Sequence, residues 1–255
     1  MVRRLGLERS FGFQALQAVT HTFSPYQLNP FDLNPLRDAL EKAIDFQCVR
    51  ECAGIRLFIS ATNVETGRVK VFDSRELTAD MVMASACLPF LHKAMVIDGV
   101  PYWDGGYMGN PALFPFHTES DCADIVVVQI NPIERRGVPK TAQDIQDRLN
   151  EISFNSSLLK ELRSIDFVGR LIREGRLDES RYRLERIHII ENQDVLGPLG
   201  ASSKLNAEWS FLVHLRDIGR ETAARWLEAH FDDIGLRATV DLRSMFVGIG
   251  PQHQG

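Results

Sequence analysis

Met95-Val96-Ile97-Asp98-Gly99-Val100-Pro101-Tyr102-Trp103-Asp104-Gly105-Gly106 decides how this chain is read. Two short apolar runs flank Asp98-Gly99, the residue pair that a two-residue type I′ hairpin turn favours because both positions take positive φ. The second run ends in a carboxylate followed by two glycines. A strand end stiffened by Tyr102 and Trp103 would hold Asp104 at a sheet rim. Gly105 and Gly106 are expected to permit a sharp reversal with positive φ, to leave room for an approaching group and to let backbone atoms of a second segment come close. Asp98-Gly99 by itself is read as a turn and nothing more.

Upstream, Ile55–Ser60 reads as a buried strand, with Val69–Phe72 as its edge partner after the Glu65-Thr66-Gly67 turn. Thr78 suits the N-cap of a short helix reaching Ser85, and Pro89 stops any continuation. Before these, Phe11, Phe13, Leu16, Val19 and Phe23 predict an amphipathic helix over 10–23. A turn-rich stretch runs to Pro35, which opens a second helix. Downstream, Asn110 is expected to cap a helix with Pro111 at its first position. The continuous apolar run Ile125–Ile130 predicts a strand covered on both faces of a parallel sheet. From Thr141 the pattern is helical for a long distance, Arg186–Ile190 supplies another strand, and two helices separated near Gly219 follow. Gly248–Gly255 is expected to be disordered.

Composition bounds the function. A chain of 255 residues with 44% hydrophobic content can build a substantial core, and a net charge of −5 argues against nucleic acid as a partner. No apolar run approaches a membrane span, and Glu8 and Arg9 interrupt any signal-peptide core. A cytoplasmic protein with reduced thiols is expected. Cys48, Cys52, Cys87 and Cys122 form no CxxC pair and have no histidines at ligand spacing, so they are read as small packing residues. No metal and no cofactor is implied.

Ala61-Thr62-Asn63 with Gly67, Ala84-Ser85-Ala86 leading to Pro89, Ile97-Asp98-Gly99, Tyr102 and Asp104-Gly105-Gly106 occur in an order and spacing that resembles the patatin-like phospholipases, over about residues 36–131. The resemblance implies an α/β fold: three layers, a mainly parallel central sheet flanked by helices, and a helical C-terminal extension over 141–235, in one domain across 1–255. It implies a serine acyl hydrolase acting on carboxylic esters of lipids through a Ser–Asp dyad, with transient contact at a membrane surface. Asp104 matches the position of the general base, Gly105 and Gly106 shape its turn, and Pro89 and Phe90 are expected to line the wall beside it.

No Gly-x-Ser-x-Gly elbow and no glycine-rich oxyanion turn occurs in the 255 residues. The expectation is therefore that the N-terminal strands of the fold are missing, that this chain carries no nucleophile and is inactive alone, and that it self-associates through an exposed sheet edge. A late gene start, a truncated gene and a two-piece enzyme each account for this. A non-catalytic lipid- or protein-binding remnant of the same fold is the alternative. His92, Ser85 and the Ser156-Ser157 pair are read as surface or packing residues.

Overall fold

A computed structural model describes residues 22–135, 137–199, 203 and 206–246. Most of the helix expected over 10–23, and the tail Gly248–Gly255, lie outside the described residues. The chain divides into two compact units, Met1–Pro115 and Phe116–Gly255.

In the first unit, α1 (Pro25–Leu28), α2 (Pro35–Ala43) and α3 (Phe46–Glu51) precede β1 (Phe58–Asn63) and β2 (Val69–Asp73). As expected, Pro35 takes the first position of α2, and the Asn34 side chain accepts from the Arg37 N–H. Then come α4 (Ala79–Ser85), β3 (Met95–Ile97) and β4 (Val100–Asp104), and the division between the units falls within α5 (Phe114–Glu119). Thr78 caps α4 by accepting from the Met81 N–H. The four strands form one sheet in the order β2-β1-β4-β3, and every pairing in it is antiparallel. Short links explain this. Asn63 accepts from the N–H groups of Glu65 and Thr66, and Gly67 adopts φ 65°, so β1 folds straight back into β2. Asp98 (φ 52°) and Gly99 (φ 80°) turn β3 into β4 as the hairpin reading predicts.

Register places Ile59, Ala61, Phe72, Tyr102 and Met95 on one face, and α4 covers it with Met81 and Ala84. Phe72 and Tyr102 meet edge to face at 5.6 Å. This is the core of the unit, and Asp104, opposite Ala61, shares its face.

In the second unit, β5 (Asp124–Gln129), α6 (Ala142–Arg173), β6 (Arg186–Glu191), α7 (Gln193–Leu196), α8 (Trp209–His230) and α9 (Leu242–Phe246) follow in order. β5 and β6 pair in parallel, with the 32-residue α6 on the connection between them. Parallel pairing needs such a crossover, and only this pair has one among the described residues.

Several expectations are corrected. The described strands form an antiparallel sheet and a separate parallel pair, not one mainly parallel sheet. β5 is not covered on both faces: Ile125, Val127 and Gln129 are buried, while Val126 and Val128 are exposed. Its apolar run marks a strand with one covered face, flanked on one edge only. The segment at Asn110-Pro111 is a turn, and the helix begins at Phe114. Gly219 does not separate two helices. It lies inside the continuous α8, because one interior glycine costs only about 1 kcal/mol against a long run of good formers. Cys87 alone packs as a small apolar residue. Cys48, Cys52 and Cys122 are exposed.

Candidate active site at the end of β4

The site is built from three backbone anchors around Asp104. Its N–H donates to the carbonyl of Cys87 at 2.9 Å, which ties the strand end to the loop leaving α4. Its carbonyl accepts from Thr62 Oγ1 at 2.8 Å, which ties it to β1. Its carboxylate accepts from the Gly106 N–H at 2.7 Å, capping the 3-10 turn Gly105–Tyr107. A carboxylate held in this way has a fixed aim, unlike one on a mobile loop. Asp104 is half-buried.

Gly105 and Gly106 enter that 3-10 turn with right-handed backbone geometry, so the expected positive φ is corrected. The need for glycine at 105 is the close approach of a second segment. A β-carbon there would lie 2.1 Å from the Ser60 carbonyl oxygen and 2.4 Å from Ser60 Oγ. The space at Gly105 is therefore filled by β1 rather than left open to a ligand. Gly109 is held similarly: its N–H donates to the Gly105 carbonyl, its own carbonyl accepts from Ser60 Oγ at 2.9 Å, and a β-carbon on it would press Ala112 and Val69.

The neighbours differ in exposure: Cys87 is buried, while Tyr107 is 41% exposed. Burial pushes the Cys87 thiol up from its ordinary value, and the Asp104 charge adds to the rise. Tyr107 is raised by the same two causes in the same order. Both groups are thereby held in their neutral forms beside the carboxylate. A carboxylate in a setting poor in water is a better proton acceptor than one in bulk solvent.

The other expected residues are less tightly drawn in. Pro89 and Phe90 lie in the turn after α4, Pro89 half-buried and Phe90 62% exposed. Ser85 is the last residue of α4 and His92 is half-buried in the following loop. Ser60, Thr62 and Cys87 fix the site. From the sequence, Thr62 was named only within a motif and Cys87 only as a packing residue, and Ser60 was given no role. The alternation of Ser60 and Thr62 against Ile59 and Ala61 was the available signal, since it places two hydroxyls on the face opposite the core. Among the described residues no three His, Cys, Asp or Glu side chains converge as metal ligands, and no helix is long and apolar enough to cross a membrane.

Comparison with family models gives a match. The family model for patatin-like phospholipase fits residues 11–117, less than half of the chain, and overlaps the 36–131 span read from motifs over residues 36–117. No curated protein matches the chain. The matched stretch contains β1 to β4, the Asp104-Gly105-Gly106 turn and every anchor described above, so it is over residues 11–117 that the chain is similar to the patatin-like phospholipases.

Proposed function

We propose that this chain supplies the base half of a lipid acyl hydrolase, with Asp104 accepting the proton of a serine hydroxyl that attacks a carboxylic ester. The observation that carries the reading is the fixed carboxylate: Asp104 is pinned at both backbone atoms and at its side chain, within the family-matched segment. A serine hydroxyl is a weak nucleophile until its proton is removed in the transition state, and an oriented carboxylate serves where water is scarce. The oxyanion is to be held by donors on the segment that brings the serine, since Ser60 Oγ is committed to Gly109.

The serine lies on a segment outside these 255 residues, because no Gly-x-Ser-x-Gly elbow stands within them. Contact with a lipid surface is supported by the apolar side chains at the start of the first unit, where Phe31 is 85% and Leu33 74% exposed. Self-association through the open edge of β5 is supported by its having β6 as its one strand neighbour among the described residues.

The test is fluorophosphonate labelling with mass-spectrometric mapping, run beside hydrolysis of a short-chain p-nitrophenyl ester. The 255-residue chain is expected to show no labelled serine and no turnover above buffer. Stoichiometric labelling of a serine within the chain contradicts the reading, because Asp104 would then not be waiting for a nucleophile from elsewhere.

A further inference from the structure

Two Asp-Gly pairs occur in the chain, Asp98-Gly99 and Asp104-Gly105, and they share one intrinsic reactivity. The glycine nitrogen can attack the carboxyl carbon of the preceding aspartate and close a five-membered succinimide ring. Glycine favours this step because no β-carbon shields its nitrogen and its backbone turns freely. The fold sets the two pairs apart.

Asp98 and Gly99 are both exposed at the tip of the β3–β4 hairpin. Asp98 takes φ 52°, a region unfavourable to a residue with a β-carbon. Its carboxylate joins no hydrogen bond or ion pair among the described residues, and the Gly99 N–H donates to none of them. A β-carbon built on Gly99 would meet nothing within 4 Å, so the turn has space to rearrange. The reacting carboxyl and the reacting nitrogen are thus adjacent and unengaged.

At Asp104-Gly105 the carboxylate is already held by the Gly106 N–H at 2.7 Å. The Asp104 backbone is tied to Cys87 and Thr62 on either side. Gly105 is buried, with Ser60 in the space a side chain would take. Ring closure there requires the carboxylate to leave Gly106 and the backbone to rotate against β1.

We propose that Asp98-Gly99 is a spontaneous modification site, converting through a succinimide to isoaspartate in the folded chain, while Asp104-Gly105 is protected by its anchors. In the first step the Gly99 nitrogen bonds to the carboxyl carbon of protonated Asp98, and the carboxyl hydroxyl leaves with the amide proton as one water. In the second step a water adds back. If the bond between the ring nitrogen and the main-chain carbonyl breaks, the product is isoaspartate, with the chain routed through the side-chain carbon. If the other carbon–nitrogen bond breaks, aspartate is restored. One water is released and one is taken up, with no oxidant or other reactant.

The product carries one more backbone carbon between residues 98 and 99, which a two-residue turn does not accommodate. The pairing of Ile97 with Val100 and of Met95 with Tyr102 depends on that turn. β3 has β4 as its one strand neighbour among the described residues, whereas β4 is also held by β1. Conversion therefore loosens β3, with Met95 and Ile97 lifting from the core they pack against, and leaves β4 in place. None of this depends on Asp104 acting as a base.

The test is incubation of the full chain at physiological pH and temperature, folded and in guanidinium chloride. Isoaspartate is then mapped by peptide mass spectrometry with electron-transfer fragmentation. In the folded chain isoaspartate should accumulate at Asp98 and form at least about tenfold more slowly at Asp104, which reacts only from a locally opened state. In guanidinium chloride the two positions should convert at similar rates. Asp98→Asn, which suits the same positive φ, should convert faster than wild type through the same ring, releasing ammonia. Hydrogen exchange over Met95–Ile97 should be faster in the converted fraction than in the unconverted one. Several results would overturn the inference: no isoaspartate at Asp98 in the folded chain while the unfolded chain converts, equal rates at the two positions in the folded chain, or an Asn variant that converts no faster. Unchanged exchange over β3 after conversion would overturn the loosening of the hairpin.

Discussion

Gly105 and Ser60 touch backbone to backbone: a β-carbon added to Gly105 would sit 2.1 Å from the Ser60 carbonyl oxygen. The glycine after Asp104 is therefore a seat for β1, and the position of the carboxylate depends on that seat. Gly105→Ala must push β1 and the 3-10 turn apart. It is expected to lower stability by at least about 2 kcal/mol, read as a fall in the urea midpoint, since backbone has no rotamer by which to yield. A midpoint equal to wild type would mean that the two segments are not in contact.

The opposite outcome is expected at Gly219. It sits within α8, and a β-carbon there meets nothing within 4 Å. Gly219→Ala should raise stability by about 0.5–1 kcal/mol, because the substitution reduces the freedom of the unfolded chain and adds no clash. A thermal melt that falls would show that the helix is broken at that point.

Acid sensitivity should centre on Asp124. Hydrogen bonds from Arg186 hold its carboxyl well below the usual range, helped by the Gly235 N–H and His188 Nε2. The native pKa is depressed relative to the unfolded value of about 3.9. Its contribution is thus fully present above that value and lost as pH falls through the native pKa. Stability measured by urea titration should decline from about pH 5 downward, and Asp124→Asn should flatten that decline. The same variant should cost about 3 kcal/mol at neutral pH, because Arg186 and the fully buried His188 lose their partner. An unchanged slope of stability with pH in the variant would contradict the assignment.

The hairpin was legible in the sequence because its turn chemistry is local. Asp98-Gly99 specifies positive φ by itself, and Thr78 and Pro35 mark helix starts without help from distant residues. The face exposure of β5 was not legible. A run of Val and Ile reads alike whether one face or two are covered, and the neighbour that decides this is remote in sequence. At the site, Asp104 was found from its motif, and the glycine pair signalled the close approach of a second segment. That the segment is β1 depends on the pairing of Ala61 with Asp104, which residues 105 and 106 do not encode. The anchoring roles of Ser60, Thr62 and Cys87 were not legible for the same reason. Each acts through a backbone atom of another segment.

Turnover by the Asp104→Asn variant, in a longer polypeptide that carries a Gly-x-Ser-x-Gly segment ahead of Met1, tests the account most directly. The substitution keeps size and the acceptor for the Gly106 N–H but removes the proton acceptor. Hydrolysis of a p-nitrophenyl ester should fall by at least about 100-fold, in line with loss of a general base, with the urea midpoint nearly unchanged. Near-normal turnover in a folded Asn variant would reduce Asp104 to a residue that only shapes its turn.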